Sequence, residues 1–125
     1  MAYATSTNGL KDLIVANFIA AAEAGATAVF GSGGHDVSGD PIAVDPTQTA
    51  LHNQLIANPI SASDIGEDED GNVQITGRLS ESDLVGSTIS EFGIKIGTTL
   101  VGVRNSAPKV KESDEAFETS ITFIF

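Results

Sequence analysis

The chain has no cysteine, no tryptophan, one tyrosine and only six basic residues among its 125. Each shortage removes a class of function. Without cysteine there can be no disulfide, no thiolate metal site and no thiol nucleophile. Six Lys and Arg stand against seventeen Asp and Glu, a formal net charge of −11. No basic cluster is therefore available to replace the counterions of a nucleic acid, and no nucleic-acid partner is expected. The scattered acids and scarce lysines also match proteins that work at high salt, and a halophilic source is the corresponding hypothesis. The longest apolar run is interrupted by Lys11, Asp12, Asn17 and Glu23, so it is too polar to span a membrane. Met1 to Ala24 has no basic leader before its apolar part, and a secretory signal is not expected.

What is present is a folded globular composition, 41% apolar, of a length that buries roughly two-thirds of its unfolded surface in one core. Residues 1–125 are expected to form a single domain in three parts: an N-terminal helix (1–25), a strand, Gly-rich loop and short helix (26–65), and an antiparallel sheet (66–125). The fold class expected is α+β, an antiparallel β-sheet or small β-sandwich of about five to six strands with an N-terminal amphipathic helix and a second short helix.

The first helix is placed at residues 8–24. Thr7 or Asn8 can cap it, Leu10, Leu13, Ile14, Phe18 and Ala21 recur at helical spacing, and Gly25 suits a C′ position with positive φ. Its apolar stripe is expected to lie on a sheet; Ala20, Ala21, Ala22 and Ala24 would alternatively let it pack against copies of itself. Ala26 to Phe30 reads as a short strand, and Gly31-Ser32-Gly33-Gly34 opens a loop that runs to Val44. Asp45-Pro46-Thr47-Gln48 has the order N-cap, N1 and N3 and predicts a helix over 46–56 that buries Ala50, Leu51 and Leu55. Pro59 would close it and Ile60 to Ile65 would be an edge strand.

The clearest β pattern follows. Gly66 to Asn72 is an acidic turn with Asp70-Gly71 at its tip. Val73, Ile75 and Leu79 alternate with Asn72, Gln74, Thr76 and Arg78 in a half-buried strand. Ser90 to Arg104 is a hairpin, with Phe92, Ile94 and Ile96 on one side, Glu91, Gly93 and Lys95 on the other, and Gly97 in the turn. Asn105 to Ala116 is expected to be a solvated excursion with Lys109 and Lys111 on its rim. Thr119 to Phe125 closes the same sheet, with Ile121, Phe123 and Phe125 docked in it or against a neighbouring subunit.

Candidate chemistry is thin. Gly31-Ser32-Gly33-Gly34 lacks the Gly-Lys-Ser/Thr that a phosphate loop needs, and the next helix signal lies about a dozen residues on. His35, Asp36, Asp40 and His52 have the donor types of a metal site, but the two histidines have no i, i+4 spacing and His52 is expected on a helix surface. Glu67, Asp68, Glu69 and Asp70 resemble part of a calcium loop, yet Gly66 and Gly77 would fall where carboxylates are required. No Gly-x-Ser-x-Gly elbow occurs, and a sugar cleft would need aromatic platforms that a chain without tryptophan lacks. No enzymatic activity, cofactor or metal is expected.

One likeness remains. Gly71-Asn72-Val73-Gln74-Ile75-Thr76-Gly77-Arg78-Leu79, then Ile89-Ser90-Glu91-Phe92-Gly93-Ile94, Thr99-Leu100-Val101 and the closing Ile121-Thr122-Phe123-Ile124-Phe125 resemble the tail-collar, baseplate and tail-fibre attachment proteins of tailed viruses. Those proteins carry a Glu-apolar-Gly-apolar strand, a turn, a return strand and a final β-run. Phe30-Gly31-Ser32-Gly33 followed by Asp45-Pro46-Thr47-Gln48-Thr49-Ala50-Leu51 is similar to a loop and helix of the same group; Gly97-Thr98-Thr99 is shorter than the usual turn. The resemblance implies a virion structural protein, an attachment adaptor that assembles in the host cytoplasm as a homotrimer or ring. Its partners would be itself and other tail or baseplate proteins. A capsid decoration or neck protein and a carbohydrate-binding β module are the alternatives. Phe18, Glu91, Phe92, Gly93, Ile94, Phe123 and Phe125 are the structural or assembly positions implied, with Glu91 either accepting backbone amides or lying on the outer face.

Overall fold

The computed structural model describes residues 2–125. Helix α1 (Asn8–Gly25) is followed by seven strands, β1 (Ala26–Gly31), β2 (Gln54–Pro59), β3 (Ile65–Glu67), β4 (Val73–Leu79), β5 (Thr88–Ile96), β6 (Thr99–Val110) and β7 (Phe117–Phe123), with a 3₁₀ turn at Ala62–Asp64. All pairings are antiparallel, and the strands form two sheets ordered β2-β1-β5-β6 and β3-β4-β7. The class is α+β, and the sheets pack face to face as a small sandwich.

The hairpin β5–β6 forms as expected, turning at Gly97 with φ 60, a conformation that favours glycine. The strands before and after it do not join its sheet. β4 pairs with β7, Val73 opposite Phe123 and Leu79 opposite Phe117, and together they cover the hairpin sheet from the other side. The close approach explains Gly77, where a Cβ would lie 2.3 Å from the Phe92 ring. Phe30 and Phe92 stack with centroids 5.0 Å apart, and Phe117 meets Phe30 edge-on. Around them Ala28, Ile75, Leu79 and Ile94 complete the core.

The expected helix over 46–56 does not form. Asp45 accepts the Thr47 backbone N–H (2.9 Å) and hydroxyl (2.7 Å) in a local Asx-type turn, a competing use of the same cap chemistry. The chain beyond it is strand β2, since Gln54 to Pro59 can complete the ladder along β1. Leu51 is buried, but Ala50 and Leu55 are exposed. The edge strand expected at 60–65 is correspondingly shifted, to β2 and the short β3.

Helix α1 also differs from its expected orientation. Its inward residues are Val15, Phe18, Ile19 and Ala22, whereas Leu10, Leu13, Ile14 and Ala21 point outward. Gly25 lies within the helix without a positive φ, and the chain passes straight into β1 at Ala26. Phe18 docks the helix against Phe123 and Phe125, with ring centroids 5.0 and 5.4 Å away.

The expected excursion at 105–116 is mostly strand: β6 runs through Asn105 to Val110, leaving a short crossing to β7. Pro108 is tolerated there because β6 is a sheet edge, where no ladder donor is required on the open side. Lys111 is not on a rim. It is 1% exposed and sits where the two sheet-to-sheet crossings meet, its backbone bonded to Gly86 and Ser87 and its ammonium donating to the Glu81 and Glu112 carbonyls at 3.1 and 3.3 Å.

Candidate functional site

Two regions at opposite ends of the sandwich carry the features that bear on function. The first is the junction where β1 runs into Gly31-Ser32-Gly33-Gly34. The partner strand β5 is buried from Ile89 to Ile94 on both faces, so Glu91 is not on an outer face; it is 1% exposed. A buried carboxylate needs donors. Glu91 accepts the backbone N–H of Asn53 at 2.7 Å and of His52 at 3.1 Å, which ties the end of the long loop to the sheet. Ser90, 0% exposed, does the same for the start of the loop: its Oγ accepts the Gly34 N–H at 2.9 Å and lies 2.7 Å from His35 Nδ1.

These contacts account for the glycines. None of Gly31, Gly33 and Gly34 has positive φ. They are glycines because neighbours leave no room: a Cβ on Gly31 would lie 2.2 Å from the Asn53 carbonyl, and one on Gly34 would lie 2.1 Å from the Ser90 carbonyl. The segment is a packed seam and not an anion cradle.

The pairing of Ser90 with His35 has the residue types of nucleophilic catalysis, and no local pattern marks it, since 55 residues separate them. Its geometry is that of a latch. Oγ is buried and already accepts a backbone amide, whereas a nucleophile must reach substrate. The other titratable candidates are dispersed. Asp36 accepts the Ser38 and Asp40 amides in its own turn, and the His52 side chain faces solvent. Asp68 likewise caps its own turn through Asp70 and Asn72. Among the described residues no group of three or more His, Asp or Glu is placed to hold a metal ion. A groove of about 390 Å³ between β6 and β7 is lined by Phe92, Arg104, Lys109 and Phe117.

Surface ion pairs fasten the outer layer. Arg78 on β4 holds Asp64 through Nε and Nη2, at 3.0 and 2.8 Å, and also pairs with Glu118 on β7. The Arg78 hydrogen bonds hold the Asp64 carboxyl below its ordinary range. Lys109 does the same for Glu115, and the Ser80 backbone N–H for Asp83.

The second region is the outward side of α1. Leu10, Leu13 and Ile14 are 51%, 64% and 45% exposed, and Ile124 and Phe125 are 81% and 40% exposed. Phe125 borders Leu10 and Ile14 in a shallow hollow with Lys11, so the patch is continuous. Lys11 itself is turned to the acidic turn, where it donates to the Asp70 carbonyl at 2.9 Å. Of the assembly positions named from the sequence, Phe18 and Phe123 meet under the inward side of α1, with Phe125 joining them from the edge of this patch, while Glu91, Phe92, Gly93 and Ile94 lie inside the sandwich. The outward stripe was legible as apolar spacing; that it is surplus to the core was not.

No protein-family model matches the chain, and no curated protein matches it.

Proposed function

We propose that this chain is a structural protein of a tailed virus, an attachment adaptor of the tail or baseplate that works through protein–protein contacts in a symmetric assembly. The observation that carries the reading is the exposed apolar patch in which Phe125 borders Leu10 and Ile14, with Leu13 one turn along the helix from Leu10, on a surface otherwise rich in acids. Apolar patches of this kind on a soluble domain mark association surfaces. The Glu-apolar-Gly-apolar stretch of the tail-protein likeness, Glu91 to Ile94, lies in the central strand β5, where it fixes the long loop and hence the shape of the module. In this role Glu91 is a positioning residue with no chemistry of its own. The partners are further copies of the chain and other tail proteins, and the site of action is the virion.

The test is direct. Purified virions from the source, separated into capsid and tail fractions and probed with an antibody to this chain, should show it in the tail fraction, with label at the tail or baseplate in micrographs. Its absence from virions would overturn the reading, and label on the capsid shell would replace it with the decoration alternative.

A further inference from the structure

Helix α1 carries two apolar stripes, and its own chain covers only one. The inward stripe is Val15, Phe18, Ile19 and Ala22. The other runs Leu10, Leu13, Asn17, Ala20 and Ala24, all exposed, in steps of three, four, three and four residues. That alternation is the seam spacing of a helix that packs lengthwise on another helix. At 3.6 residues per turn it falls on the side of α1 away from the sandwich, with Ile14 and Ala21 widening it. Two helices could meet along it with both sandwiches outside.

Resting on the assembly reading above, we infer that the outward seam of α1 is a self-association surface whose occupant is α1 of a second copy of this chain. For a contact between copies, charge selects this seam. In a chain of net charge −11 any symmetric contact that included acids would bring like charges together. The seam is free of ionisable groups, and the acids of α1, Asp12 and Glu23, lie off it. Its one strongly polar side chain is Asn17, whose amide both donates and accepts and so can pair with its own copy. Asn17 is also at the middle of the helix, so it meets its counterpart whether the two helices run parallel or antiparallel. A polar residue at such a position fixes register and the number of helices, at some cost in affinity. The upper seam buries leucine and the lower seam, with Ala20, Ala21 and Ala24, lets backbones approach closely.

The absence of cysteine makes the test clean. Asn17→Cys places one thiol on the seam and Asp12→Cys places one off it; a disulfide forms only if the two Cα atoms come within roughly 7 Å. With diamide as oxidant, Asn17→Cys should give a covalent dimer and Asp12→Cys should not. By sedimentation the wild type should self-associate, and Leu13→Glu should weaken this by at least about tenfold, because a charge would be buried at the seam. Leu13 is exposed, so the variant's circular dichroism and melting should match the wild type. If the wild type associates but Leu13→Glu keeps its mass and Asn17→Cys stays uncross-linked, the seam is wrong and assembly uses another surface. A wild type that remains monomeric at its highest soluble concentration also overturns the seam. The virion reading then still stands or falls on the tail fractions alone.

Discussion

At the loop end of the sandwich three buried polar residues are taken up within the chain: Glu91 by two backbone amides, Ser90 by Gly34 and His35, Lys111 by two carbonyls. At the helix end Leu10, Leu13, Ile14, Ile124 and Phe125 stay uncovered. The first end shows where the fold is completed by specific, short-range bonds whose loss cannot be compensated inside a core. The second shows apolar surface that the chain gains nothing from exposing. Substitutions should therefore separate the two ends, lowering stability at one and changing association at the other.

The largest effect is expected from Glu91→Ala, which leaves the His52 and Asn53 amides without an acceptor next to a cavity. Hydrogen bonds to a charged group are worth about 1.5–3 kcal/mol each, so the loss of two, roughly 3–6 kcal/mol, should appear as a lower urea midpoint at unchanged slope. An unchanged midpoint would mean that water replaces the carboxylate and that the loop end is looser than it looks. Phe123→Ala should follow at about 2–3 kcal/mol, below the range for a fully buried phenylalanine because Phe123 is half-buried. It removes the edge contact that docks α1, so loss of helix signal before the main unfolding transition would confirm that the inner stripe holds the helix. Lys111→Met keeps the aliphatic stem and strands the Glu81 and Glu112 carbonyls, and should cost about 1–3 kcal/mol. Wild-type stability in that variant would show that the crossings hold without the ammonium.

Much of the sandwich was legible in the sequence, for identifiable reasons. β4 and the β5–β6 hairpin have strict alternation or a turn glycine, signals that depend only on near neighbours. The helix expected at 46–56 failed because Asp45-Pro46-Thr47 satisfies its cap chemistry in one turn, and Gln54 to Pro59 gains more from the β1 ladder than from helix propensity. The same lesson covers Lys111 and Glu91. Nothing local marks a lysine in an acidic stretch as buried, or a glutamate between Ser90 and Phe92 as a loop anchor, because Glu81, one of the two carbonyls that receive Lys111, and the amides that Glu91 accepts lie about 30 to 40 residues away. The choice between the two stripes of α1 is equally non-local, set by where Phe123 and Phe125 arrive.

Acid should weaken the outer fastenings. Asp64, Asp83 and Glu115 have folded-state values lowered from 3.8, 3.8 and 4.5, by Arg78, by the Ser80 amide and by Lys109 respectively. A lowered carboxyl contributes its stability in full above its unfolded value and loses it as pH falls through the folded value. Melting temperature should therefore be flat from pH 7 down to about 5 and fall below about 4. Arg78→Leu removes the cause of the Asp64 shift, so its melting curve should start lower at pH 7 and fall less steeply in acid. An equally steep fall would assign the acid sensitivity to other carboxylates.

Salt should act in the same direction at both ends, by different physics. Screening weakens the three surface ion pairs Arg78–Asp64, Arg78–Glu118 and Lys109–Glu115, which contribute little where they face solvent. It also relieves the self-repulsion of a chain with net charge −11, and at molar ionic strength the screening length shrinks to about 3 Å. The excess charge outnumbers the pairs, so the balance should favour the folded state by about 1 kcal/mol, read as a rise in melting temperature between low and molar sodium chloride. The uncharged outer seam of α1 has no attraction to lose, so association should strengthen over the same range as repulsion between copies is screened. Melting that falls with salt would show that the ion pairs outweigh the net charge. Association that weakens with salt would mean that copies meet through opposite charges, and therefore somewhere other than the helix.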